Sequence, residues 1–238
     1  MGARNGSPLR GRGWLNTGGE QVTLEDLRGK VVILDFWTFC CINCLHVLDE
    51  LRPLEEEFAD VLVTVGVHSP KFEHEADPDA LAAAVERYAI EHPVLDDPEL
   101  TTWQAYSARA WPTLVVVDPE GYIAAHLSGE GHVAGLYGLV RELVAEHEAK
   151  GTLHRGSGPY VPPAPVARDL SFPGKAVSLG GRGSRPGTFL VSDTGHHRLL
   201  EVAEDLTTVL RAVGGGDPAG AGDRARLIEL AATCDVVV

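Results

Sequence analysis

Hydrophobic positions in the first two-thirds of the chain recur with two periods. Val31-Val-Ile-Leu-Asp-Phe-Trp37, Val61 to Val67 and Thr113-Leu-Val-Val-Val117 are short β-branched runs, the pattern of strands buried on both faces. Tyr122 to His126, after the turn Asp118-Pro-Glu-Gly121, reads as a hairpin partner of the last run. Between the runs the period lengthens to that of a helix. Leu45, Leu48, Leu51, Leu54 and Phe58 fall on one face with Asp49, Glu50, Arg52 and Glu55 to Glu57 opposite, until Pro53 bends that helix or Phe58 ends it. Asp77-Pro78 supplies an N-cap and a first-turn proline for a second helix, with Leu81, Val85 and Tyr88 at i, i+4 and i+7. Leu136, Val140, Leu143 and His147 mark a last one. The alternation predicts an α/β layer fold, with helices on both faces of a mixed central sheet.

The texture changes after Lys150. Residues 151–167 are rich in glycine and proline and read as a partly extended linker. Beyond it, Lys175 to Leu179, Thr188 to Val191, Leu199 to Ala203 and Thr207 to Val213 are strand candidates at roughly ten-residue spacing, the rhythm of a meandering antiparallel sheet. Residues 1–13 are rich in Gly, Arg and Ser, and are expected to be disordered. A main domain over 14–150 and a smaller all-β segment over 168–238 follow, which a length of 238 residues accommodates.

Charge narrows the partners. Twenty basic against 34 acidic side chains leave a net charge of −14, which repels phosphate backbones and anionic lipid, so neither nucleic acid nor a membrane is an expected partner. The longest apolar stretches fall far short of the ~18 to 20 residues that span a bilayer, and Arg4, Arg10 and Arg12 have no apolar stretch behind them, so the expected location is cytoplasmic. Three of four cysteines lie within five positions, at 40, 41 and 44. The fourth, Cys234, reads as a small packed residue.

Cys41-Ile-Asn-Cys44 falls where a strand gives way to a helix. There the unsatisfied N–H groups and the positive end of the helix dipole stabilise a thiolate, which makes Cys41 the candidate nucleophile. Cys44, one turn inward, is placed to attack a mixed disulfide at Cys41 and release the product. A metal-binding reading lacks the second ligand pair of a structural zinc site. His46 could join the pair to hold copper(I), but a histidine on an amphipathic helix reads first as a surface residue. No metal and no cofactor are expected.

The stretch Leu34-Asp-Phe-Trp-Thr-Phe-Cys-Cys-Ile-Asn-Cys44 resembles the active-site segment of thioredoxins, with six residues from Asp35 to Cys41. Trp111-Pro112-Thr113 is similar to that family's second signature, a cis-proline loop facing the disulfide. The resemblance spans about 14–150. It implies a thioredoxin-like fold in which Asp35 is a buried acid assisting proton transfer from Cys44. It further implies that Trp37 packs beside the site and that Trp37, Trp111 and Pro112 form the substrate-binding set. Cys40 stands where the family usually has tryptophan, and Ile42-Asn43 where it has Gly-Pro. Trp111 is bulky for its position and is expected to narrow the groove.

Phe172-Pro-Gly-Lys175, followed by Val191-Ser-Asp-Thr-Gly-His-His-Arg-Leu-Leu200, resembles an NHL repeat, a propeller blade in whose turn His196-His197 would sit. A redoxin domain followed by such repeats is similar to the thioredoxin-like, NHL-repeat-containing proteins. The 71 residues from Arg168 hold one blade and a fraction, whereas propellers take 4 to 8 blades of roughly 40 to 50 residues. The expectation is therefore an incomplete propeller, either from a longer gene product or leaning on another surface, with Cys234 to Val238 as an exposed, association-prone strand.

Together these readings predict a thiol-disulfide oxidoreductase with Cys41, Cys44 and Asp35 as catalytic residues. It would act on a protein or small-molecule disulfide, draw on a separate reductant, and carry a candidate partner surface on its C-terminal β segment. Two alternatives stay open. One is an interaction scaffold whose cysteines are idle. The other is a peroxiredoxin-like peroxidase, since Thr38-Phe-Cys-Cys41 fits a Thr-x-x-Cys spacing, although Leu34 stands where that family has proline and Pro112 where it has arginine.

Overall fold

The computed structural model describes residues 5–161, 169–180 and 187–214. The chain divides into two compact units, Met1–Ala164 and Pro165–Val238.

The first unit is built on a six-stranded sheet. Its strands are β1 (Gly13–Leu15), β2 (Val31–Trp37), β3 (Leu62–His68), β4 (Val94–Asp96), β5 (Thr113–Val117) and β6 (Ile123–Ser128), in the order β1-β4-β3-β2-β5-β6. β2, β3 and β4 run parallel, while β5, β6 and β1 pair antiparallel, so the sheet is mixed. The helices are α1 (Ile42–Glu57), α2 (Pro78–Arg87), α3 (Thr101–Ala105) and α4 (Val133–Lys150). All seven residues of β2 are buried, because both of its faces are covered. Val32, Leu34 and Phe36 join Val65, Val67, Val115 and Val117 on one side, and Val31 and Ile33 meet Val47, Leu51 and Leu54 of α1 and Leu136 and Val140 of α4 on the other. A continuous apolar run is what such a strand requires.

α1 runs through Pro53 and ends at Phe58. Pro53 lies on the exposed face, where the carbonyl it leaves without an N–H partner can meet water. α2 starts as its sequence predicts, with the Asp77 carboxylate accepting from the N–H groups of Asp79 and Ala80. β1 and β4 have no counterpart in the hydrophobic pattern, since three residues are too few to show a period.

The disordered start expected for residues 1–13 is corrected over residues 5–13. Gly6 N–H donates to Gly121 O, Arg10 N–H to the Thr102 hydroxyl, and the Arg12 guanidinium to Asp96 at 2.8 Å. Composition describes the segment by itself; docking along a sheet edge satisfies its backbone. The linker expectation is corrected in the same way as far as Val161. His154 N–H donates to Gly29 O, Gly156 N–H to Asp60 O and Val161 N–H to Asn16 O, so this stretch is a strap laid on the first unit. The rest of the expected linker, residues 162–167, lies outside the described residues.

The second unit contains β7 (Pro173–Ser178), β8 (Thr188–Asp193), β9 (Arg198–Ala203) and β10 (Val209–Gly214), an open antiparallel meander in the order β10-β9-β8-β7. Leu190, Leu199, Leu200 and Val202 are buried in it. Its turn is organised by Asp193, wholly buried, which accepts from Ser171 N, His196 Nδ1 and Arg198 Nε at 2.6, 2.8 and 2.7 Å. The expectations for Cys234 and the apolar end to Val238 fall outside the described residues.

Candidate active site

β2 ends at Trp37, three loop residues follow, and Cys41 is the N-cap of α1. Its backbone is extended, at φ −113° and ψ 105°, and its sulfur accepts a hydrogen bond from Cys44 N–H at 3.3 Å. A sulfur so placed faces free N–H donors and the positive end of the helix, both of which favour negative charge. Cys41 is half-buried, whereas Cys44 is wholly buried. Burial pushes the Cys44 thiol up, and the adjacent Cys41 adds to the effect. The two sulfurs thus differ in access, and burial holds the proton on Cys44.

Asp35 is wholly buried in β2, and neither carboxyl oxygen has a hydrogen-bond partner in the protein. Burial, assisted by the negative charge of Glu55, pushes it up to about 8. Its charge is also felt at Cys44. Trp37 packs with Cys44 and Leu48 in one apolar cluster, with Cys41 and Trp111 against its edge. Because Trp37 is fully buried, its expected contact with substrate is corrected to a packing role. The bulk of the indole is what fills the floor beneath Cys44.

Pro112 is buried, and the Trp111–Pro112 bond is cis. The next residue, Thr113, registers with Phe36 on β2, so Pro112 lies beside the end of β2 from which the cysteine loop departs. Trp111 is half-buried, stacks on Trp103 with ring centres 4.2 Å apart, and donates its Nε1–H to Ser69 O at 2.7 Å. Lys71 Nζ sits over both the Trp111 and Phe72 rings. Phe72, 50% exposed, and Ile42, 63% exposed, present apolar surface.

Two groups in the site went unnoticed in the sequence. Glu75 is buried, and its carboxylate gathers four donors: the Thr38 hydroxyl at 2.5 Å and Cys40 N–H at 3.1 Å on Oε1, and the N–H groups of Lys71 and Phe72 at 2.6 and 2.8 Å on Oε2. Burial opposes ionisation, but those donors outweigh it and hold the carboxyl below its ordinary range. The cysteine loop is thereby fastened to the 71–75 turn. His68, also buried, stacks on Phe39 at 5.3 Å and is pushed down to about 4 by burial, so it is neutral near pH 7. Neither residue carries a local signal, since Glu75 sits in a polar stretch that reads as exposed.

Cys40 is exposed, with Sγ 3.4 Å from His74 Nε2. What burial it has, followed by the Glu75 carboxylate, pushes its thiol up. His46 is exposed and lies 3.4 Å from Glu130. Among the described residues no three His, Cys, Asp or Glu side chains are grouped to hold a metal ion. No helix among them is long and apolar enough to cross a membrane.

Residues 10–126 match the AhpC/TSA family. The chain is 40% identical over 210 residues to NHL repeat-containing protein 2 of Gallus gallus, an alignment covering 85% of this chain and 28% of that protein. It is 28% identical to thiol-disulfide oxidoreductase YkuV of Bacillus subtilis, over 58% of this chain and 91% of that one. A crystal structure of the thioredoxin-like superfamily protein SPOA0173 superposes with a TM-score of 0.55 at 28% identity, covering 60% of this chain and 97% of the other. The chain spans under a third of the length of the chicken relative. Over residues 10–126 it is therefore a redoxin domain of the AhpC/TSA family with a thioredoxin-like fold, and with the four-stranded sheet that follows it belongs to the thioredoxin-like, NHL-repeat-containing proteins.

Proposed function

We propose that the first unit is a thiol-disulfide oxidoreductase in which Cys41 is the nucleophile and Cys44 the resolving thiol. The observation that carries this reading is the contrast between an accessible sulfur capping a helix and a buried thiol near an unpartnered carboxyl. Cys41 thiolate attacks one sulfur of a substrate disulfide, forms a mixed disulfide and expels the other sulfur as thiolate. Cys44 then passes its proton to the Asp35 carboxylate and attacks Cys41 Sγ. The Cys41–Cys44 bond forms, and the second substrate thiolate leaves. The substrate gains two electrons and the protein loses two; a dithiol reductant restores the pair. A carboxyl titrating near 8 both accepts and returns a proton around neutral pH. The relative named as a thiol-disulfide oxidoreductase supports the reaction class.

The peroxidase alternative needs Thr38 to serve Cys41. Its hydroxyl hydrogen goes to Glu75 instead. Reduction of a protein disulfide by the purified chain, with dithiothreitol in excess, tests the proposal. Wild type should exceed the reductant alone, Cys41→Ser should abolish the excess, and Cys44→Ser should accumulate a mixed disulfide visible by mass. No excess in wild type would leave the scaffold reading in its place.

A further inference from the structure

Apolar surface left in water beside a reactive centre marks a place where something else binds. Among the described residues of the first unit the large apolar side chains that stand exposed are Ile42, Phe72, Tyr122 and Val161, and two of these four adjoin the cysteines. Ile42 follows Cys41 directly, at the first position of α1. Phe72 reaches the cysteine loop through two contacts: its ring stacks on His74 with centres 5.8 Å apart, and His74 Nε2 lies 3.4 Å from Cys40 Sγ. The backbones meet as well, because Glu75 takes Cys40 N–H on one carboxylate oxygen and the N–H groups of Lys71 and Phe72 on the other.

A cation is built into the same rim. Lys71 Nζ lies 5.7 Å from the centre of the Phe72 ring and 5.8 Å from that of Trp111, within the range over which a ring face attracts a positive charge. Both rings are held in place, Trp111 by its stack on Trp103 and its bond to Ser69 O, and Phe72 by His74 and by its own N–H on Glu75. Ser69 N–H in turn donates to Trp37 O, so the segment from Ser69 to Phe72 starts beside the end of β2 from which the cysteine loop departs. Lys71 is exposed, and among the described residues it forms no ion pair with a carboxylate. An ammonium already resting on two fixed rings gives up little further freedom when it meets an incoming carboxylate. The net charge of −14 opposes an acidic partner at a distance, but at 0.15 M salt charges more than about 8 Å away are largely screened, and the ammonium at the rim decides.

We propose that Lys71, Phe72 and Ile42 form, together with Trp111, a rim that selects the substrate: a peptide disulfide whose cysteine is flanked by apolar side chains and, one residue further, by a carboxylate. The proposal rests on the thiol-disulfide reading above and names the substrate class of that same site. The carboxylate pairs with Lys71, and the apolar neighbours of the cysteine cover Ile42 and Phe72. Those two side chains stand on separate elements, α1 and the 71–75 turn, so covering both takes an extended occupant. That favours a peptide over a small disulfide. The rim leaves the exchange chemistry at Cys41 and Cys44 as it is and acts on which disulfide arrives there.

The test uses the full chain with dithiothreitol in excess and blocked peptides X-Leu-Cys-Leu-X, oxidised to symmetric disulfides, in which X is Glu, Gln or Lys. Each kcat/KM is divided by the rate of the same peptide with dithiothreitol alone, which removes the peptide's own reactivity. Wild type should prefer the Glu peptide to the Gln peptide by about two- to fivefold, with the Lys peptide slowest. Lys71→Met should bring that ratio close to one, and Lys71→Glu should reverse the order. Glu73→Gln, which removes the other exposed charge of the turn, should not lower the preference. Replacing both leucines of the peptide by serine should slow wild type about threefold or more, and Phe72→Ser should shrink that difference. Oxidised glutathione, which carries carboxylates without apolar neighbours, should fall below the Glu peptide. Equal rates on the three peptides in wild type, a preference that survives Lys71→Met or falls in Glu73→Gln, a leucine effect that is absent or survives Phe72→Ser, or faster reduction of oxidised glutathione would overturn the rim. No excess reduction of any disulfide by wild type would instead overturn the oxidoreductase reading, and the rim with it.

Discussion

Asp35 is destabilising where it stands. Its folded-state titration, near pH 8, lies above the ordinary 3.8, so the folded chain binds that proton more tightly than the unfolded one. The stability this provides is fully present below about pH 4, is lost as pH rises toward 8, and at alkaline pH the buried charge costs on the order of 5 kcal/mol. Asp35→Asn should therefore raise the melting temperature more at pH 9 than at pH 5 while slowing the resolving step at both. Melting curves across that range check it; a gap that does not widen with pH would show that Asp35 is not held protonated. His68 acts on the other limb. Its titration is depressed to about 4 from 6.5, so its contribution holds above about pH 6.5 and is lost as pH falls through 4, on the order of 3 kcal/mol. Urea unfolding of His68→Asn should show a shallower loss of stability between pH 6.5 and 4 than wild type. Asp35 was visible in the sequence because the stretch from Leu34 to Cys44 resembles the active-site segment of thioredoxins. His68 was not: it ends an apolar run, and its ring is enclosed by Phe39 stacked on one face and Trp37 against its edge.

The active loop is held by two elements acting on either side of it. α1 is anchored by Leu51 and Leu54, both wholly buried, and truncation of either to alanine should cost about 2 to 5 kcal/mol. From the other side, Glu75 supplies the acceptors for the backbone of Cys40, Lys71 and Phe72. Glu75→Gln keeps the shape but removes the charge that pushes the Cys40 thiol up. Iodoacetamide labelling at pH 7.5, followed by mass spectrometry, should then find Cys40 modified faster in the variant than in wild type. Equal rates would mean that the carboxylate does not govern Cys40. The helix itself is legible as a pattern of leucines, but its partner turn is not, because Thr38 and Glu75 are 37 residues apart and join only through burial.

Across the whole molecule the division into two units predicts separable behaviour. Limited proteolysis should leave a fragment that ends beyond Val161 and keeps the thiol chemistry, whereas a chain stopped at Lys150 should be less stable. The shorter chain loses the His154–Gly29 and Gly156–Asp60 backbone bonds and the Lys30 Nζ bond to Gly156 O. Asp193→Ala should melt the four-stranded sheet, since three donors lose a buried acceptor, without reducing exchange at Cys41. Loss of exchange in that variant would show that the two units act as one.

By itself the sequence determined what is periodic or close in number: the buried strands, the amphipathic helices, the Asp77 cap, the CxxC at a strand-to-helix junction with an acid six residues before it, and the meander with its Asp193 turn. Each rests on interactions within a turn or two of chain, so the residues announce it. Tertiary structure alone decided the rest. It docked residues 5–13 and the strap, paired β1 with β4 at the edge of the sheet, buried Trp37, and set Glu75 under the cysteine loop. Those outcomes depend on which surfaces meet across 35 to 145 residues of chain. Burial, rather than residue type, then turns an ordinary glutamate, aspartate or histidine into a group with altered chemistry.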